Sequence, residues 1–277
     1  MYQTINVNGR LIDLSTPHVM GILNVTPDSF YAGSRKQTEK EIAERTNQII
    51  SEGGTMIDIG AFSTRPGAPQ VSESEEMERL RRGLQIVRRE QPDAVLSVDT
   101  FRPDVARMAV EEYGVGMVND VSEGGITGVV NTPLEQDEGP YPSIFRMVAR
   151  LGVPYILMSV KNNLEAMIPA FAKEVNQLHE LGVKDIILDP GFCFGKSLDE
   201  NYALLAKMEQ LQSLDLPLLV GVSRKSMIFR LLDTDPSGSL NGTSVIHTIA
   251  VEKGANILRV HDVKEAVEVV KIVNKIM

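Results

Sequence analysis

The chain has 277 residues, a formal net charge of -9 and 43% hydrophobic residues. The acidic excess argues against binding nucleic acid or an anionic membrane surface, both of which need basic patches. No run approaches the ~18 apolar residues of a membrane span, and the opening MYQTINVNGR lacks the basic and apolar regions of a signal peptide. The single cysteine, Cys193, cannot form an internal disulfide, so a cytoplasmic setting is expected. No Pro/Gly/Ser-rich linker interrupts the pattern, and one domain spanning 1–277 is the simplest reading.

In chain order, Asn8-Gly9 lies between alternating apolar residues of 4–14, which predicts a hairpin with a type I′ turn. Eight short apolar runs follow, at 18–25, 56–60, 94–100, 116–121, 154–160, 185–191, 217–223 and 256–262. They are nearly continuous, as strands buried on both faces should be. The segments between them carry helix signals: Thr38 with Glu41, Ser72 with Glu75 and Ser197 with Glu200 have capping-box spacing. Eight βα units after a hairpin predict an α/β fold, a TIM (β/α)8 barrel with an N-terminal β-hairpin as plug or lid. A doubly wound sheet competes, but neither GxGxxG nor GxxxxGK[ST] occurs. Residues 122–142 are long for a barrel loop. The run EEMERLRRGL (75–84) reads as a solvated helix face. His179 and His247 read as ordinary helix residues, and His18 falls at the N-terminal end of its run.

Seven of the eight runs end on polar groups: Asn24, Asp58, Asp99, Asn119 with Asp120, Asp189, Ser223 with Arg224 and Lys225, and Arg259 with His261 and Asp262. In a barrel these ends share one rim, where active sites are built. A single strand-end Asp is more often a cap or turn former; convergence on one rim favours a site. Carboxylates on apolar strands need donors, so Asp99, Asn119 and Asp189 suit a flat, donor-rich heterocycle. Arg65, Lys225, Arg259 and His261 are suited to anions. Asn24 offers a neutral oxygen for Mg²⁺, a metal that keeps much of its water and often arrives with phosphate. Four histidines and one cysteine without zinc-type spacing argue against a zinc hydrolase.

MGILNVTPDSF (20–30), STRPGA (63–68), SVDTFRPDVA (97–106), NDVS (119–122), LDPGFCFGKS (188–197), GVSRKS (221–226) and RVHDV (259–263) resemble the dihydropteroate synthase family, in order and over almost the whole chain. The resemblance implies a pterin-binding barrel of folate biosynthesis. Such a transferase joins (7,8-dihydropterin-6-yl)methyl diphosphate to 4-aminobenzoate, and sulfonamides occupy the 4-aminobenzoate position. It implies that Asp99, Asn119, Asp189 and Lys225 hydrogen-bond the pterin, with Phe194 and Met158 walling the pocket. Arg259 would lie against the pterin and reach the diphosphate, with His261 and Asn24; Asn24 would also touch Mg²⁺. Thr64, Arg65 and Pro66 would close over 4-aminobenzoate and Ser223 would meet its carboxylate. Asp58 would support the transition state or the loop. Loss of diphosphate before amine attack is expected, with Asp99 and Asp189 stabilising a cationic ring. A homodimer through 241–253 and 263–277 is implied.

Three departures from the family pattern stand out. Ala61 and Phe62 occupy positions where Gly and Glu are common, Ser159 stands where the fifth strand usually has His, and 123–142 is longer than usual. They motivate an alternative, a pterin-binding paralogue with little turnover. A methyltetrahydrofolate-binding barrel is a further alternative, but it has no use for the STRPGA loop or the SRKS basic pair.

Overall fold

The computed structural model describes residues 4–25, 35–62, 71–125 and 140–276. Two short strands, β1 (Thr4–Val7) and β2 (Arg10–Asp13), form the expected hairpin. Asn8 and Gly9 take positive φ values of 52° and 82°, as a type I′ turn requires.

All eight apolar runs become parallel strands: β3 (His18–Asn24), β4 (Met56–Gly60), β5 (Val95–Asp99), β6 (Met117–Asp120), β7 (Tyr155–Met158), β8 (Ile186–Asp189), β9 (Leu219–Val220) and β10 (Ile257–Val260). Most strands are shorter than their runs because apolar residues continue into the turns, most of all at β9. The ladder runs β8-β7-β6-β5-β4-β3-β10-β9. It closes at Leu188 and Leu218, where Leu188 N donates to Pro217 O at 2.8 Å. The fold is therefore a TIM barrel.

Helices α1 (Arg35–Ser51), α2 (Glu73–Glu90), α3 (Pro103–Tyr113), α4 (Ser143–Leu151), α5 (Leu164–Glu180), α6 (Leu198–Ala206), α7 (Ser226–Phe229), α8 (Leu240–Glu252) and α9 (Val263–Val273) surround it. Ser197 and Glu200 form the complete reciprocal capping box at α6, whereas at α2 Ser72 accepts from Glu75 N. Thr38 does not cap; it lies inside α1, with its neighbours already helical. No described helix is long and apolar enough to cross a membrane.

The hairpin is a plug rather than a lid. Ile5, Val7, Ile12 and Leu14 pack against Met20, Met56, Met117, Ile156, Ile187, Leu219 and Ile257, the inward residues nearest the strand starts. Asn8 Nδ2 donates to Gly114 O at 2.9 Å, just before β6, which pins the plug to the bottom of the barrel. A Cβ on Gly116 would lie 2.3 Å from Val7 Cγ1, so only glycine admits the plug there. Closing the bottom with apolar side chains leaves the polar residues to the opposite rim. Leu14 is fully buried, and Leu14→Ala is expected to lower the urea unfolding free energy by about 2–4 kcal/mol without changing the rim.

Candidate active site

At the barrel centre Arg259 reaches from β10 across β3 to two acids. Its Nε donates to Asp58 Oδ2 at 2.6 Å and its Nη2 to Asp99 Oδ2 at 2.7 Å. Asn119 Nδ2 donates to the same Asp58 oxygen at 2.9 Å. Period-2 alternation points these residues of β4, β5, β6 and β10 inward. Burial pushes the Asp99 carboxyl up to about 7, with Asp58 adding to the effect and Arg259 opposing it. Burial pulls the other way on Arg259, but the two acids outweigh it and its pKa is raised. Asp58 Oδ1, Asn119 Oδ1 and Ser97 Oγ are buried with no hydrogen-bond partner among the described residues. Such atoms cost about 1–3 kcal/mol if left unpaired, so a polar ligand edge would be bound here.

Beside this group, Asp189 ends β8 and Lys225 precedes α7. Burial raises the Asp189 pKa, opposed by Lys225, the Gly191 N–H, Arg259 and Lys196. Burial lowers that of Lys225, opposed chiefly by Asp189. Lys225 Nζ donates to Phe192 O at 2.9 Å and lies 4.6 Å from the centre of the Phe194 ring. Met158 is fully buried and pairs in register with Asp189. Asp99, Asn119, Met158, Asp189, Phe194, Lys225 and Arg259 thus share the rim and centre of one barrel.

A second pocket lies on the β3 side, lined by Asn24, Thr38, Glu41, Arg45 and His261 among others. Burial, with the charges of Arg259, Arg45 and Arg224, lowers the His261 pKa to about 4 against the pull of Asp262. His261 is therefore a neutral imidazole near pH 7, with a ring N–H that can still donate to an anion. The sequence reading missed Arg45, whose Nε donates to Ile22 O at 3.3 Å and Nη2 to His261 O at 2.5 Å, tying β3 to the end of β10. Its signal was a lone Arg on a helix, which does not stand out. Ser223 Oγ accepts from His261 N at 3.1 Å and keeps its own proton for another acceptor. Among the described residues no group of three or more His, Cys, Asp or Glu is placed to hold a metal. Asn24 fits a Mg²⁺ only if substrate phosphate and water supply the other oxygens.

Several strand-end residues serve the scaffold instead. Asp120 points outward and accepts from Tyr155 Oη at 2.5 Å, Ser122 N at 2.7 Å and Gly124 N at 2.8 Å. Arg224 pairs with Asp262 through two bonds of 2.8 Å. Asp58 lies within β4, against Arg259 and Asn119, and meets no described loop residue by hydrogen bond. Thr64, Arg65 and Pro66 lie outside the described residues.

The run 75–84 is not wholly solvated: Glu76 and Arg79 are buried. Glu76 accepts from Thr100 Oγ1 at 2.7 Å and from Arg102. Arg102 also donates to Val71 O at 2.7 Å, and its guanidinium carbon lies 5.9 Å from the Phe62 ring and 5.3 Å from that of Phe101. Phe62, in place of an acid, therefore packs under a cation whose charge Glu76 already balances. Ser159 turns outward, its Oγ 3.3 Å from Glu123 Oε1. Phe62 and Ser159 both fall outside the central polar group; most of the third departure, 123–142, lies outside the described residues.

Acids and cations gathered, buried or half-buried, at the C-terminal rim of a closed parallel barrel define an α/β-barrel enzyme. Residues 20–261 match the pterin binding enzyme family. Dihydropteroate synthase from Escherichia coli K12 is 38% identical, over 96% of this chain and 93% of that protein. The Synechocystis enzyme is 36% identical over 92% of this chain and 88% of its own length. A structure of Xanthomonas albilineans dihydropteroate synthase with 4-aminobenzoic acid superimposes with a TM-score of 0.86 and 34% identity, covering 100% of this chain and 98% of that one. A Yersinia pestis dihydropteroate synthase complexed with a sulfonamide drug gives 0.84 and 36%, covering 99% of each chain. The chain belongs to the pterin-binding enzyme family, and within it to the dihydropteroate synthases.

Two stability measurements check this account of the site's surroundings. Arg102→Met leaves Glu76 buried without its cation and is expected to cost about 3–5 kcal/mol in urea unfolding; Arg102→Met with Glu76→Gln should recover much of that. Glu174 of α5 is buried, and desolvation with the Glu123 charge raises it from 4.5 to about 8, opposed by Lys161 and Lys173. A carboxyl raised on folding stabilises below its unfolded pKa and loses that contribution as pH rises through the folded value. Glu174→Gln should therefore be more stable than the parent at pH 8, the gap closing toward pH 4.5. An unchanged gap across that range would contradict the burial argument.

Proposed function

We propose that this chain catalyses the reaction of its relatives: the methylene C–O bond of (7,8-dihydropterin-6-yl)methyl diphosphate breaks, the amine of 4-aminobenzoate forms a C–N bond and loses a proton, and 7,8-dihydropteroate and diphosphate leave. The observation that carries this is the set of buried Asn119 and Asp189 with half-buried Asp99 and Lys225 at one rim, with Asn119 Oδ1 left without a hydrogen-bond partner among the described residues. Acceptors and one donor in that arrangement match the amide- and guanidine-like edges of a pterin. Asp189 would take the 2-amino and N3 edge and Lys225 the O4/N5 side, with Phe194 and Met158 as walls. Arg259, His261 and Asn24 would hold the diphosphate. Thr64, Arg65, Pro66 and Ser223 would meet 4-aminobenzoate.

No protein nucleophile is needed; the attacking group is the amine of 4-aminobenzoate. Diphosphate departs with its electron pair once its charge is met, and the pterin carries the resulting cation, which Asp99 and Asp189 stabilise through preorganised charge. Asp58 acts by holding Arg259 and Asn119. Mg²⁺ near Asn24 would neutralise the departing diphosphate. Sulfonamides would compete with 4-aminobenzoate, as a complex of the Yersinia pestis relative suggests. Homodimerisation through α8 and α9 is supported by the exposure of Val245 and Ile272. A cytoplasmic location fits an acidic chain in which no described helix is long and apolar enough to cross a membrane.

Diphosphate release tests the reading. It should require both 4-aminobenzoate and Mg²⁺ and match dihydropteroate formed. Asp189→Asn should lower kcat/KM on the order of 10²–10³-fold. Release independent of 4-aminobenzoate would place the fault in the acceptor site; pterin binding with no release would make the protein a paralogue without turnover.

A further inference from the structure

Lys196 has no part in the reading above. Its Nζ donates to Gly191 O at 2.9 Å, Ser159 O at 3.2 Å and Phe194 O at 3.3 Å. An ammonium has three donors, so these carbonyls use all of them. They belong to two successive βα turns, one after β7 and one after β8. The turns are pressed together: a Cβ on Gly191, whose φ is +65°, would lie 2.1 Å from Ser159 O. Carbonyl oxygens crowded at one point repel unless they share a donor, and a cation is the strongest one.

The fastened turn carries the contacts that orient the pterin-facing pair. Gly191 N donates to Asp189 Oδ1 at 2.8 Å. Phe192 O accepts Lys225 Nζ, and Phe194 lies beneath the same ammonium. The other side of the turn is held by Asn201, whose Oδ1 accepts from Cys193 N at 2.7 Å. Lys196 is thus the link between this turn and the end of β7.

We infer that Lys196 is a positioning residue for the dihydropterin site, acting through the 191–194 turn on Asp189 and Lys225. The inference rests on the proposed reaction. It has a pH signature as well. Burial, together with the Lys225 charge, lowers Lys196 to about 8, against Asp189 of β8, Glu123 of the turn after β6, and Cys193. Above that pH the side chain loses its charge and one donor, and the turn loosens.

The test compares Lys196→Met, which keeps the stem and removes the donors, with Lys196→Arg, which keeps the charge. Affinity for dihydropterin diphosphate is measured by calorimetry without 4-aminobenzoate, then both KM values in turnover, from pH 6.5 to 9.5. Lys196→Met should weaken pterin-diphosphate affinity about tenfold or more, leave the KM for 4-aminobenzoate unchanged, and abolish the parent's loss of affinity near pH 8. Lys196→Arg should recover most of the affinity and shift that limb beyond the range. Unchanged affinity, or equal change in both KM values, overturns the inference. If Lys196→Met does not fold, a parent affinity that stays flat through pH 8 overturns it. Parent protein that binds the pterin without turnover refutes only the proposed reaction; parent protein that does not bind it refutes both.

Discussion

The buried guanidinium of Arg259, shared between Asp58 and Asp99, is the constraint on which the rest of the barrel depends. Removing one partner from such a group leaves an uncompensated charge in a low-dielectric interior, a loss of several kcal/mol. The partners come from β4, β5 and β10, with β3 between, so the contact exists only when these four neighbouring strands are in register and curved around one axis. Asn119 extends the contact to β6. Charge balance at the centre and the register of five neighbouring strands are therefore one requirement.

The second charge pair, Asp189 and Lys225, is built differently. It draws on turns rather than on strands alone, through Phe192 O, the Phe194 ring and the Gly191 N–H. Turns are less constrained than strands, which gives Lys196 and Asn201 their importance: each spends its polar atoms on the backbone of this segment. The two pairs also sense each other, since Arg259 lowers the pKa of Asp189 and Asp99 raises that of Lys225. With Asp58, Asp99 and Asp189 set against Arg259, Lys225 and the adjoining Lys196, the formal charges of the site balance although the chain carries a charge of -9. Neutrality suits a substrate pair that brings both a polar heterocycle and anionic groups.

The departures from the family pattern are absorbed where the architecture has slack. Phe62 joins Phe101 in an edge-on pair with ring centres 6.0 Å apart and lies under Arg102. Glu76, from α2, supplies the negative charge that Arg102 faces here. Ser159 falls on the outer side of β7, where alternation directs it to Glu123 and away from Met158 and Asp189.

The amino-acid sequence by itself determined the strands, the hairpin turn and the family. Each rests on short-range information: continuous apolar runs, an Asn-Gly pair, and motifs such as LNVTPDSF and SRKS. It also placed Asp99, Asn119, Asp189, Lys225 and Arg259 at strand ends, and the barrel does bring them together. The polar pattern at strand ends did not by itself separate Asp120 from Asn119, or Arg224 from Lys225, which only the family resemblance distinguished, because a shift of one residue decides which side chain faces the centre. Arg45, Glu76, Arg102 and Lys196 stayed hidden for another reason. They are charged residues in ordinary helical or loop sequence, and their roles are defined by partners far along the chain, His261 for Arg45 and Ser159 for Lys196. The neutrality of His261 likewise comes from burial and three neighbouring arginines, which only the closed tertiary structure assembles.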